Sequence, residues 1–298
     1  MRTAVFTALL FLIDAALGAG FARLYFQQRT GAFAECTQIL EQVRDPVVIL
    51  GSSRALHHYV PKILSDSLGI ACWNSGRDGQ GLLFAEAALE LTFARYHPRL
   101  VLLDLNPREL ERDDRSYDRL SELLPYVRRH PELRRYADLR GHFERFKLWS
   151  RVYPFNSMVL SILWHVAPGH GHALDTRGYL PLHGQALAPR LGEPENPAPA
   201  GPIDPIKRRA LAHIADMARK NGCRVIAIVS PIAPSDRAST SRAQLASLVR
   251  EAGLPLWDDA EEPTIVGDTS FFYDHAHLND EGARRFTSLL VSRLTRKE

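Results

Sequence analysis

The longest uninterrupted apolar stretch stands at the start of the chain. Between Arg2 and Arg23 lie 20 residues, Thr3 to Ala22, whose single charge is Asp14. At about 1.5 Å rise per residue such a helix spans about 30 Å, the hydrocarbon thickness of a bilayer. The pattern therefore predicts a membrane segment through residues 3–22, within an anchor over residues 1–26. An uncleaved anchor is the expectation and a cleaved signal peptide the alternative, because Ala16-Leu17-Gly18 and Gly18-Ala19-Gly20 are small-x-small sites of the kind signal peptidase accepts. A mid-helix aspartate costs about 2.5–3.5 kcal/mol on insertion, which makes Asp14 a candidate contact to another integral membrane protein.

After a polar linker, residues 27–45, the period changes. Val47-Val48-Ile49-Leu50 is a short apolar run that ends at Gly51-Ser52-Ser53, as a buried parallel strand entering a turn does. Further strands are expected at Ile70–Trp73, Leu100–Leu103 and Val225–Val229, with a short one at Leu254–Trp257. Helices are expected between them, after Pro61, over Leu82–Tyr96 and over Ile206–Lys220, with a closing helix over Asp280–Leu294. Strands alternating with helices at this spacing imply right-handed crossovers and an α/β fold with a doubly wound, mostly parallel sheet over residues 46–298. Residues 108–205 form an insert. Its first half is helical, with Leu120, Leu123, Leu124 and Val127 on one face and Leu139, Phe143 and Phe146 on another. Its second half carries seven prolines between Gly178 and Pro205 and reads as an irregular loop.

Composition narrows the function classes. Of 298 residues, 37 are Lys or Arg and 34 Asp or Glu, so the formal net charge is only +3 and no basic tract suggests a nucleic-acid partner. The charge is concentrated: residues 112–151 hold 11 Lys/Arg against 7 Asp/Glu, a local +4 that could face an anionic polymer or lipid headgroups. The 3 cysteines, Cys36, Cys72 and Cys223, include no CxxC and suggest neither a disulfide framework nor a zinc ribbon.

In open parallel sheets ligands bind beyond the carboxyl ends of the strands. Those ends supply Ser52 and Ser53, Asn74 to Gly79, and Asp104 to Asn106. Asp274-His275-Ala276-His277-Leu278-Asn279 precedes the last helix. A nucleophilic serine needs a base within reach and the base needs an orienting group. His277 and Asp274, three apart in a turn, suit those roles, and either serine could be the nucleophile. The Gly79 N–H and the Asn106 amide could hold an oxyanion.

These four segments, in this order, resemble the blocks of the SGNH (GDSL-like) hydrolase superfamily. Gly51-Ser52-Ser53 resembles the nucleophile block, Asn74 with Gly79 the oxyanion-glycine block, and Leu103-Asp104-Leu105-Asn106 the oxyanion-asparagine block. Asp274-x-x-His277-Leu278-Asn279 resembles the terminal block. The resemblance implies a flavodoxin-like three-layer fold, Ser53 as nucleophile, His277 as base, Asp274 as its orienter, an oxyanion hole of Ser53, Gly79 and Asn106, and no cofactor or metal. Two departures stand out: Ser52 occupies the usual aspartate position and Asp104 that of a usual glycine. The layout looks closest to membrane-tethered members of the superfamily that modify bacterial envelope polymers. It implies an extracytoplasmic esterase, deacetylase or O-acyltransferase acting on an acylated carbohydrate or other envelope polymer, with Asp14 reaching a membrane acyltransferase. Candidate substrate contacts are Ser52, Arg54, Asn74 and Asp104. A non-catalytic subunit that binds carbohydrate or acts as scaffold is the alternative from another class. His57 and His58 are expected in the pocket wall or in solvent. His165, His170 and His172, or His275 with His277, have the look of a metal site without an acidic or cysteine partner set.

Overall fold

The structure, a computed structural model, describes residues 1–166, 177–186, 199–233 and 239–296. Its chain falls into two units by contact: Met1–Gln42 with Asp114–Ala173, and Val43–Asp113 with Leu174–Glu298.

The second unit holds the sheet. Five parallel strands, β1 (Val47–Gly51), β2 (Cys72–Gly76), β3 (Leu100–Asp104), β4 (Arg224–Val229) and β5 (Leu256–Asp258), run in the order β2-β1-β3-β4-β5. Val47 pairs with Cys72 on one side and Leu100 on the other. All five β1 residues are buried, which is why this run is apolar throughout instead of alternating. The chain leaves β1 outward to β2 and then crosses back to β3, so the direction of winding reverses between β1 and β3. In open parallel sheets ligands bind at such a switch point, beyond the carboxyl ends of the strands. The expected α/β class and parallel sheet are what the structure has.

Two boundaries differ from expectation. β2 begins at Cys72 and runs on through Asn74-Ser75-Gly76, which the polar side chains had suggested was loop. Asn74 can sit in a strand because its amide is fully employed: Nδ2 donates to Ala55 O (2.7 Å) and Tyr59 O (3.0 Å), and Oδ1 accepts from Gly76 N–H (2.8 Å). β5 is shifted to Leu256–Asp258 for a different reason, since Pro255 has no N–H to give the ladder. The closing helix, Asp280–Thr295, is capped by Asn279, whose Oδ1 accepts from Gly282 N–H (3.0 Å).

The first unit gathers the N-terminal helix, Arg2–Phe26, with short helical segments of the insert. This 25-residue helix has a mean hydropathy of 2.0 over its most apolar window, of which only 6% is buried; it is long and apolar enough to cross a membrane. The stretch expected as a linker is helical over Gly31–Thr37 and Gln38–Gln42, with Cys36, Ile39 and Leu40 buried. Asp14 has internal partners. Its carboxylate accepts from Ser150 Oγ (2.5 Å), Arg151 N–H (2.6 Å) and Val152 N–H (3.3 Å). One turn further on, a Cβ at Gly18 would lie 2.3 Å from Arg151 Cβ, so only glycine lets the segment approach. Tyr25 packs edge-on against Tyr126 and shares a hydroxyl contact with it (3.3 Å). The insert thus divides between the units: residues 177–186 and 199–205 of its proline-rich half belong with the sheet, and residues 187–198 lie outside the described residues.

Candidate active site

Ser53 is the first residue of the Ser53–His58 helix, immediately after β1, and Ser52 caps that helix by accepting Arg54 N–H at 3.3 Å. This assigns the two serines different work: Ser52 Oγ is tied to the backbone, while Ser53 Oγ lies 2.8 Å from His277 Nε2. His277 Nδ1 is 3.0 Å from both Oδ1 and Oδ2 of Asp274. A carboxylate can only accept here, so Nδ1 carries the proton and Nε2 presents its lone pair to the Ser53 hydroxyl. The Asp274 side chain also accepts from the N–H groups of Ala276 (2.8 Å) and His277 (2.9 Å). Burial pushes the Asp274 carboxyl up, but the His277 ring and these two N–H donors outweigh it and hold it below the usual carboxylate range. Both groups remain partly open, at 22% and 26% side-chain exposure, so a substrate can reach them. With Nδ1 on a carboxylate and Nε2 on a hydroxyl, His277 is arranged as a proton relay and not as a metal ligand.

The two candidate oxyanion groups follow the neighbouring strands. Gly79 sits in the turn after β2 at φ +69°, a left-handed conformation that glycine adopts without strain. Asn106 follows β3; its Oδ1 accepts Arg108 N–H at 2.9 Å, which leaves the NH₂ as the donor end of the amide. With β1 lying between β2 and β3, Ser53, Gly79 and Asn106 come from the carboxyl ends of three adjacent strands, around the switch point.

Three expected substrate contacts are buried. Arg54 is 3% exposed, with Nη2 donating to Ser230 Oγ (2.8 Å), to Ser230 O and to Pro231 O (3.4 Å). Its Nε faces Asp104 Oδ1 at 3.6 Å, and Asp104 Oδ2 accepts from Tyr59 OH at 2.6 Å. Asn74 is spent on backbone groups as described above. Arg54, Asp104 and Asn74 therefore brace the floor beneath the serine. The departure from glycine at position 104 is accommodated by its partners, Arg54 and Tyr59.

Sequence reasoning missed the part played by His57 and His58, both buried. His57 Nδ1 donates to Leu180 O (2.7 Å), its Nε2 faces Asp78 Oδ1 at 3.4 Å, and its ring meets that of His277 edge-on at 5.3 Å between centroids. The contact with His57 holds the Asp78 carboxyl below its ordinary range. His58 Nε2 accepts from Leu278 N–H (2.9 Å) and its Nδ1 donates to Ser230 Oγ (2.9 Å), pinning the turn that carries His277 to the end of β4. The signal was available in the spacing: Arg54, His57 and His58 share one face of a helix that starts at Ser53.

Burial, followed by the charge of Arg54, keeps the His58 ring well below the usual imidazole range and so neutral in the fold. The unfolded chain takes up a proton at His58 as pH falls through about 6.5 and the folded chain does not. Stability is therefore expected to drop by about 1.4 kcal/mol per pH unit below that point from this group alone. Denaturant titrations on either side of pH 6.5 measure the slope, and His58→Gln should flatten that contribution.

Comparison with protein-family models gives no match, and neither does comparison with curated protein sequences. Among solved structures, a protein of Bacteroides fragilis provisionally described as an acylhydrolase is similar at 13% identity and a TM-score of 0.37. The match covers 84% of this chain and 88% of that one. Of the residues suggested as metal ligands, His170 and His172 lie outside the described residues; His165 Nδ1 is 2.8 Å from Ser161 O, within its own helix.

Proposed function

We propose that the chain is a membrane-tethered serine enzyme of SGNH type that cleaves or transfers an acyl ester through an acyl-enzyme, with an envelope carbohydrate polymer as substrate and the sheet unit outside the cytoplasm. The observation that carries the chemistry is the continuous relay from Ser53 Oγ through His277 to Asp274. As Ser53 Oγ attacks the ester carbonyl, His277 Nε2 takes the hydroxyl proton and Asp274 stabilises the imidazolium. The negative oxygen that forms is met by the N–H groups of Ser53 and Gly79 and by the Asn106 amide, each such donor being worth about 3–4 kcal/mol of barrier. Collapse expels the alcohol, which takes its proton from His277. Water or a sugar hydroxyl then attacks the acyl-serine, the first giving hydrolysis and the second O-acyl transfer. The basic charge of the insert, with the N-terminal helix, supports a polymer substrate at a membrane.

The test is to trap the intermediate. Incubating the full-length protein with an activated acetyl ester, quenching in acid and fragmenting it should place one acetyl group on Ser53, and supplying an oligosaccharide acceptor should show whether water or sugar removes it. Turnover of the ester with no acyl group ever found on Ser53 would sink this mechanism.

A further inference from the structure

Asp14 fixes the depth of more than its own helix. With residues 3–22 spanning the hydrocarbon, Asp14 lies about 12 Å along the axis from Ala22 and about 18 Å from Arg2. The Ser150–Val152 segment is hydrogen-bonded to the Asp14 carboxylate and must sit at the same depth. It is equipped for that, because Asp14 satisfies its hydroxyl and two of its N–H groups, and Ser150 Oγ accepts the next one, Tyr153 N–H, at 3.1 Å. An uncovered N–H in hydrocarbon would cost several kcal/mol.

On either side of this segment several large apolar side chains stand exposed, beside the charged Arg145 and Lys147. Phe143 and Trp149 are 71% exposed, Phe146 53%, Leu160 84%, Leu163 49% and Trp164 60%, an apolar surface in the same unit as the bare helix. Above Asp14, a cleft of about 390 Å³ opens between the N-terminal helix and the insert. Its walls include Phe26 and Phe155, and Arg23, Arg128, Arg129 and Arg151 stand around it. Arg128 is used by the carbonyls of Leu148 and Trp149, and Arg129 by Glu41. Arg23 and Arg151, by contrast, have exposed side chains with no ion pair among the described residues. An apolar slot ringed by guanidinium groups, at the level where the helix leaves the hydrocarbon, matches a lipid acyl chain joined to a phosphate.

We propose that the 143–164 region of the insert is itself immersed in one leaflet beside the N-terminal helix, with its exposed aromatic and leucine side chains among the acyl chains and the arginine cleft holding the phosphate of an anionic phospholipid. This rests on the N-terminal helix being a retained anchor. Full-length protein in vesicles of phosphatidylcholine and phosphatidylglycerol, with bromine on the acyl chains, should lose tryptophan emission relative to unbrominated vesicles. That quenching should vanish in the Trp149→Phe/Trp164→Phe double variant, which leaves Trp73 and Trp257 to report on the sheet unit. Arg23→Gln/Arg151→Gln should lower the preference for phosphatidylglycerol over phosphatidylcholine among co-purified lipids by about fivefold per charge removed. Equal quenching in wild type and the tryptophan variant, or lipid preference unchanged by the arginine changes, overturns the proposal and assigns the face to a protein partner. A mature chain whose N-terminus begins beyond residue 20 overturns the anchor reading instead, so the two failures are told apart.

Discussion

Replacing Ser53 by alanine is expected to abolish labelling by a fluorophosphonate and to lower ester turnover on the order of 10⁶-fold, the loss typical when the nucleophile of a serine–histidine–carboxylate relay is removed. Residual turnover would come from the oxyanion donors and binding alone. The fold should survive: Ser53 is partly exposed, and alanine is well suited to a helix's first turn. Ser52→Ala is the matched control, because it removes the cap on Arg54 N–H at a cost of about 1 kcal/mol and leaves the Ser53–His277 pair in place. Labelling retained in Ser52→Ala and lost in Ser53→Ala assigns the nucleophile. The opposite pattern would move the chemistry to Ser52, and full labelling of both would remove the site from this loop.

The largest loss of stability is expected from Arg54→Met. Arg54 gathers three strand ends: it follows β1 in sequence, faces Asp104 at the end of β3, and donates to Ser230 and Pro231 beyond β4. Removing the guanidinium leaves the Asp104 carboxylate fully buried with only the Tyr59 hydroxyl, and an orphaned buried charge costs about 3–5 kcal/mol. At about 2–4 °C per kcal/mol for a chain of this size, Tm should fall by about 10 °C. A second change, Asp104→Leu, removes the orphan and should recover most of the loss. The thermal midpoints of both single variants, the double variant and the wild type form the cycle that measures the coupling. An Arg54→Met protein melting with the wild type would contradict the bracing role. Burial pushes the Tyr59 hydroxyl well above its ordinary range, reinforced by the neighbouring Asp104, so it remains a donor at every working pH and does not stand in for the lost cation.

The α/β order was legible because each central strand holds a buried run of four or five residues, and such runs leave a clear mark in the sequence. The serine, histidine and aspartate were legible because each stands where a strand or turn hands over to a helix. What the sequence could not convey was which charges are inside. Arg54 and Asp104 were read as substrate contacts because a buried ion pair and a solvated one look the same along a chain; only the packing of residues 54, 104 and 230 together distinguishes them. Asn74 escaped for a similar reason, since its hydrogen bonds go to carbonyls on the neighbouring helix that no local pattern predicts. The first unit was hardest to read. Its two pieces are far apart in sequence, so the partner of Asp14 had no local signature.

That separation bears on synthesis. Ser150 is 136 residues from Asp14. At about 5–20 residues per second, a ribosome takes on the order of 10 s to make the intervening chain. If the helix is the anchor proposed above, it enters the bilayer during that interval with its carboxyl uncapped. The cost of Asp14 is therefore met at insertion, and is refunded only when residues 150–152 emerge and reach it.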